Sequence, residues 1–126
     1  MKLILAVGAG GAIGAVARYL LSSAVMRWSG GTFPYGTLAV NVIGCFVMGL
    51  VVGLIALRLS LPQAAQLFLT AGLLGGFTTF SAFSLDAVVL YERHAYGQAA
   101  GYVLASVILS VGALVAGLAA TRMVAA

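Results

Sequence analysis

The sequence predicts an all-α integral membrane protein, with four transmembrane helices in a single domain that covers residues 1–126. Two observations lead to this fold class. Hydrophobic residues occupy 63% of the positions and charged residues only 6%, whereas a soluble domain has about 25% charged residues. The hydrophobic residues also form four long runs, and each run reaches the roughly 20 residues that a helix needs to cross a bilayer. We therefore expect a multi-pass protein of the cell inner membrane, with the lipid bilayer around most of its surface.

The four runs are joined by short connections, which contain residues that end helices or lie at membrane interfaces. The third run is the longest, and at about 1.5 Å per residue it would reach roughly 40 Å against a hydrocarbon core of about 30 Å. Because glycine is a poor helix former, we expect the third helix to be broken near Gly75–Gly76. The predicted spans cover about residues 3–25, 36–57, 64–90 and 98–120.

Composition excludes several classes of function. The net charge of +4 is spread without a basic cluster, which argues against a nucleic-acid partner. Cys45 is the only cysteine, and with one His, one Asp and one Glu a single chain cannot form a zinc or di-iron site. No pairing of a nucleophile with a base is present either, so we expect that the protein is not an enzyme and has no catalytic residues.

Basic residues are distributed almost evenly between the two sides of the predicted bundle. One side holds Lys2, Arg58 and Arg122, and the other holds Arg27 and Arg93, plus Arg18 if its side chain snorkels that way. Orientation follows an excess of Lys and Arg on the cytoplasmic side, and here that excess is nearly absent. We therefore expect insertion in both orientations and a dual-topology homodimer, in which two antiparallel copies pair about an axis in the membrane plane.

The third run contains the most informative segment, from Gly72 to Ser84. A glycine pair is followed directly by hydroxyl and aromatic side chains, among them Thr79, Ser81, Phe80 and Phe83. Backbone carbonyls that a break frees at membrane depth are tolerated only inside protein or along a polar cavity, so this segment is a candidate ion site. A phenylalanine pair at this spacing usually packs in a core, but ring edges carry positive partial charge and can also face a small anion.

Three polar side chains within the runs are candidates for a special role. Asn41 is in the middle of the second run, where it either makes an interhelical hydrogen bond or lines a pore as a donor. Arg18 near the end of the first run either snorkels to the interface or has a functional role. Asp86, in the second half of the third run, either pairs with Arg18 or faces an aqueous vestibule.

The fourth run has one polar stripe. Tyr102, Ser106 and Ser110 recur at a spacing of four residues, which places them on one face of a helix. Such a stripe either joins helices or forms the wall of a pore.

Three motifs resemble the Fluc (CrcB-type) fluoride channels, and together with the four spans the resemblance covers nearly the whole chain. The first is GGAIGAVARY from Gly10 to Tyr19, the second is GTLAVNVIGCF from Gly36 to Phe46, and the third is GGFTTFSAFS from Gly75 to Ser84. The sequence departs from the family pattern at Ala82, where a hydroxyl residue is usual, and at Asp86, where Glu is common.

The resemblance implies an antiparallel homodimer with two fluoride pores and a structural sodium ion at the dimer interface. By motif position, the backbone carbonyls of Gly75 and Thr78 would bind the sodium. Arg18 and Asp86 would lie at a vestibule. The residues that would line the fluoride pore are Asn41, Thr79, Phe80, Ser81 and Phe83, with Tyr102, Ser106 and Ser110 placed less closely.

The leading hypothesis is therefore a fluoride-selective channel, which exports fluoride passively down its electrochemical gradient and lowers cytoplasmic fluoride. A small multidrug-type proton-coupled antiporter is an alternative, but that mechanism needs a carboxylate deep in the first helix, and this first run has none. A structural membrane subunit is a third possibility. It would explain the many glycines but not the Thr, Phe and Ser side chains of the third run.

Overall fold

The computed structural model describes residues 1–57 and 60–125, and this part of the chain is helical with no strand. Helix α1 is Lys2–Ser29 and α2 is Tyr35–Leu57. The third span contains α3 (Gln63–Leu67), a π-helical segment (Phe68–Leu74), α4 (Gly75–Phe77) and α5 (Ser81–Glu92), and α6 is Tyr96–Ala125. Four segments are each long and apolar enough to cross a membrane, namely α1, α2, the third span and α6. This confirms the prediction of four spans. Arg58, which entered the comparison of charge on the two sides, lies outside the described residues.

The four spans pack as two pairs. Helix α1 lies against the first half of the third span, and α2 lies against α6. Glycine makes both contacts close, since a Cβ on Gly49 of α2 would lie 3.1 Å from the Cα of Gly117 of α6. Small residues permit this approach of two backbones in a membrane, where packing rather than the hydrophobic effect drives association.

A buried aromatic cluster joins the second half of the third span to α6. Phe83 and Leu90 of α5 pack with Tyr102 of α6, and Phe33 from the α1–α2 connection covers this cluster. Tyr102 is fully buried. The cluster fixes α5 beside α6 and so determines where the side chains after the interruption point.

The interruption of the third span is present and follows the glycine pair, close to the predicted position. Gly75 is helical, with φ −63° and ψ −39°, and the chain leaves the helix only at Thr78, with φ −85° and ψ 160°. Gly76 serves the packing instead, since a Cβ there would lie 2.6 Å from the carbonyl oxygen of Gly11. The pair therefore allows α1 to approach, and the helical segment ends at Phe77, one residue beyond the pair, for another reason.

Candidate functional site

A groove of about 400 Å³ lies beside the interruption, between α2, the third span and α6. It brings together six of the eight predicted pore residues and both predicted sodium ligands. Its walls are otherwise apolar. The lining residues are Asn41, Cys45, Gly75, Thr78, Thr79, Phe80, Phe83, Ser106, Val107, Ser110 and Val111.

The side chain of Asn41 is paired with the backbone of Thr79. Asn41 Nδ2 donates to the Thr79 carbonyl at 2.9 Å, and the Thr79 amide donates to Asn41 Oδ1 at 2.8 Å. The amide thus acts as donor and acceptor at once, which an Asn side chain can do and an ionised Asp cannot. One Nδ2 hydrogen is left over, and it belongs to a side chain that lines the groove.

This pairing explains why the helix ends here. In an α-helix the Thr79 amide would donate to the Gly75 carbonyl, but it donates to Asn41 instead. One turn further on, the Ala82 amide would donate to the Thr78 carbonyl, but it donates to Thr79 Oγ1 at 3.1 Å. Side chains therefore take the amides that would ordinarily satisfy Gly75 and Thr78.

Arg18 binds the same interruption from α1. Its Nε donates to the carbonyl of Gly76 at 3.1 Å. A cation at the C-terminal end of a helical segment is favourable, because the last carbonyls there carry partial negative charge. Arg18 thus caps the first half of the third span.

The two predicted pore phenylalanines are in contact but differ in burial. Their ring centroids are 5.4 Å apart. The Phe80 side chain is 78% exposed, whereas Phe83 is 9% exposed and packs on Tyr102 at 5.3 Å. Phe83 is therefore held rigidly by the aromatic cluster, while Phe80 projects from the protomer.

The α6 wall of the groove carries two hydroxyls. Ser106 Oγ is buried and has no hydrogen-bond partner, which is unusual for a buried hydroxyl. Ser110, one turn further along the helix, lines the groove together with Cys45. The stripe of polar residues on α6 thus faces the groove with at least one hydroxyl unused by the protein.

Two predicted pore residues lie outside the groove. Ser81 is exposed, and its Oγ is 3.3 Å from Thr79 Oγ1. Tyr102 is buried beneath Phe83, and its hydroxyl donates to Asp86 Oδ2 at 3.2 Å. Asp86 and Arg18 therefore have separate partners and do not form the ion pair that was one of the two interpretations of Asp86.

The chain matches the model of a known family over residues 5–118, and that family is described as CrcB-like protein, Camphor Resistance (CrcB). The chain belongs to the CrcB family. Its resemblance to this family, inferred above from three motifs, is confirmed.

Relatives within the CrcB family are similar along almost their whole length. A protein of Nitrobacter winogradskyi is 54% identical over 121 residues, which cover 96% of each chain. One of Agrobacterium fabrum is 56% identical over 116 residues, covering 92% of this chain and 93% of the relative. One of Phenylobacterium zucineum is 54% identical over 125 residues and 98% of each chain. All three are named fluoride-specific ion channel FluC.

Two smaller cavities of this CrcB-family chain extend from the interruption toward the α1–α2 connection. The first, of about 130 Å³, has Arg18 and Thr79 in its wall, and the second, of about 290 Å³, has Asp86 and Arg93. Ser22 and Thr37 line both and were not predicted. The sequence did contain a signal for them, namely their spacing from predicted residues. Ser22 lies four residues after Arg18 and Thr37 four residues before Asn41, so each shares a helix face with a predicted residue.

The candidate metal ligands of this CrcB-family chain are backbone oxygens. Within residues 1–57 and 60–125 no group of three or more His, Cys, Asp and Glu side chains could hold a metal ion. The Gly75 and Thr78 carbonyls, whose usual donors are taken by side chains, are instead suited to a hard monovalent cation, which prefers oxygen ligands.

Proposed function

We propose that this protein is a fluoride-selective channel of the cell inner membrane, through which fluoride leaves the cytoplasm passively. The observation that supports this most directly is the groove at the interruption. It combines neutral donors with aromatic rings in an apolar wall and contains no charged side chain. The relatives named fluoride-specific ion channel FluC give independent support.

The groove suits a small anion that must lose its water. Burying an ion is costly unless other groups replace its hydration. The remaining amide hydrogen of Asn41, the unused hydroxyl of Ser106 and the ring edges of Phe80 and Phe83 can each do so. Because none of them is a full positive charge, the anion is stabilised without being trapped, which conduction requires.

Passive export needs no coupled proton or nucleotide. A membrane potential contributes about 2.3 kcal/mol per charge per 100 mV, so a negative interior drives an anion outward. The antiporter alternative lacks support, since α1 contains no Asp or Glu. The relatives are likewise named as channels rather than enzymes.

We further propose that the working unit is an antiparallel homodimer. The groove is open along one side, where Phe80 is 78% exposed, and a pore needs a wall on every side. Gly75 is also exposed, and a Cβ there would meet only the Thr70 carbonyl, at 3.4 Å. A second copy that covers this face would complete the pore, and the nearly even distribution of basic residues permits it to insert upside down.

A sodium ion would fit at the contact between two such copies. The Gly75 and Thr78 carbonyls of each chain would hold it, giving four oxygens in place of its water. When bound, the ion would neutralise carbonyl oxygens that would otherwise face each other unsatisfied, and its role would be structural.

Fluoride efflux from liposomes that contain the purified protein tests the proposal. A fluoride electrode and a chloride electrode would follow the release of each anion from matched vesicles after a potassium ionophore is added. We expect rapid fluoride release and chloride release no faster than from protein-free vesicles. Equal release of both anions, or no protein-dependent fluoride release, would refute a fluoride-selective channel.

A further inference from the structure

We propose that Asn41 is a positioning residue for the cation site, in addition to being part of the groove wall. Its side chain would keep the Gly75 carbonyl available to the cation. This inference rests on the sodium site proposed above, and the experiment below separates the failure of one from the failure of the other.

The argument begins with the amides that could satisfy Gly75. The Thr78 amide donates to the Leu74 carbonyl at 3.0 Å, as it would in a helix. The next amide, that of Thr79, would donate to Gly75 if the helix continued. It is held by Asn41 Oδ1 at 2.8 Å, so the two amides nearest to the Gly75 carbonyl both have other acceptors.

The same side chain also orients Thr79. Asn41 Nδ2 donates to the Thr79 carbonyl at 2.9 Å, and two hydrogen bonds between one side chain and one peptide leave it little freedom to rotate. Thr79 Oγ1 then accepts the Ala82 amide, which would otherwise satisfy Thr78. Asn41 thus acts directly on one proposed ligand and, through Thr79, on the other.

The neighbouring carbonyls are satisfied by side chains. Arg18 Nε donates to Gly76, and Asn41 donates to Thr79. Gly76 and Thr79 are therefore occupied, while Gly75 and Thr78 are left for a cation. Because Asn41 also lines the groove, one side chain connects the proposed anion route with the proposed cation site.

Sodium titration of the purified protein in detergent tests this role without any flux measurement. Sodium would replace a large organic cation at constant ionic strength, and the thermal unfolding midpoint would be recorded. A ligand that binds only the folded state raises this midpoint as its concentration exceeds its dissociation constant. Wild-type protein is expected to be stabilised by sodium, and Ser110→Ala, which alters the groove wall away from the interruption, is expected to need the same sodium concentration.

Two substitutions of Asn41 separate the two roles. Asn41→Leu removes the amide at similar volume, so the Thr79 amide can return to Gly75. The sodium concentration for half the effect should then rise by about two- to tenfold, the factor that one neutral hydrogen bond provides. Asn41→Asp keeps the acceptor for the Thr79 amide, so the response to sodium should persist while fluoride flux is lost.

Each result leads to a different conclusion. If wild-type protein does not respond to sodium, the proposed cation site fails, and this inference fails with it. If wild-type and Asn41→Leu need the same sodium concentration, the cation site stands and the role of Asn41 is refuted. Should Asn41→Leu not fold, Asn41→Ala, which removes the same amide without adding apolar volume, decides the matter: a raised sodium requirement supports the role, and an unchanged one overturns it.

Discussion

Phe83 and Tyr102 form the contact that connects the groove to the buried core. Their ring centroids are 5.3 Å apart, and the Tyr102 hydroxyl donates to Asp86 on the same helix as Phe83. A further ring, that of Phe33, meets Tyr102 edge-on at 5.5 Å. One wall of the groove is therefore supported from behind by a rigid aromatic stack.

Replacing Tyr102 should show that the ring supports this wall more than the hydroxyl does. Tyr102→Phe loses one hydrogen bond to Asp86 and should reduce the free energy of unfolding by about 1 kcal/mol. Tyr102→Ala removes a fully buried ring and should cost about 3–5 kcal/mol. Denaturant unfolding in detergent measures both. Equal costs for the two variants would mean that the stack contributes little.

Removing the ring edges should stop fluoride without unfolding the protein. Phe80→Ile and Phe83→Ile keep most of the apolar volume but lose the positive edge, and each should reduce fluoride efflux at least about tenfold, a barrier increase of roughly 1.4 kcal/mol. Since Phe80 is exposed in the protomer, its variant should also keep wild-type stability. Phe46→Ile, on α2 outside the groove, is the matched control. Wild-type efflux from both groove variants would refute the pore assignment.

Ser106→Ala should separate conduction from stability. Ser106 Oγ is buried without a partner, so its removal relieves a desolvation cost and should leave the unfolding free energy unchanged or raised by up to about 1 kcal/mol. Fluoride efflux should fall, because a donor to the anion is lost. A variant that is less stable, with unchanged efflux, would show that this hydroxyl serves the fold.

Adjacent glycines should respond differently to alanine. At Gly76 a Cβ would meet the backbone of Gly11 at 2.6 Å, whereas at Gly75 the nearest atom is the Thr70 carbonyl at 3.4 Å. Gly76→Ala should therefore destabilise the protomer by about 1–3 kcal/mol through overpacking. Gly75→Ala should fold but weaken the pairing of two copies, which gel filtration at decreasing concentration would detect. If both variants dimerise like wild-type protein, Gly75 is not at the proposed interface.

Orientation in the membrane can be tested with single cysteines at the termini. In a Cys45→Ala background, a cysteine added at either end should be labelled partly from each face by an impermeant thiol reagent, because the charge bias is small. Several lysines added to one connection should shift the labelling to one face. In the protein with unmodified connections, labelling of the terminal cysteine from one face only would contradict dual insertion.

Hydropathy was sufficient to predict the number of helices that are long and apolar enough to cross a membrane. The predicted second span, about residues 36–57, is nearly the same as helix Tyr35–Leu57. The third span differs from its prediction more in its interior than at its ends, since it contains a π-helical segment that the sequence did not indicate. This segment packs against α1, a tertiary contact that local helix propensity does not report.

The exact residue at which the third span is interrupted could not be predicted from local sequence either. Gly75–Gly76 has the lower helix propensity, yet the chain remains helical there and departs at Thr78. The deciding interaction is the hydrogen bonding of Asn41 to Thr79, which joins residues 38 positions apart. Asn41 was predicted either to make an interhelical hydrogen bond or to line a pore as a donor. In the structure it hydrogen-bonds to Thr79 of the third span, and its side chain also lies in the groove wall. Its proposed action on fluoride stays a prediction.

The π-helical segment Phe68–Leu74 makes the third span sensitive to its length. Successive residues of an α-helix point about 100° apart, and each π-helical hydrogen bond spans one residue more than an α-helical one. Deleting a single residue from this segment would turn everything beyond it by about that angle. Gly72 could then keep its place against α1 only if Phe80 and Phe83 swung away from the groove. The segment should therefore tolerate many side-chain replacements but no insertion or deletion. Related proteins whose residues differ in this segment should still have the same number of residues in it.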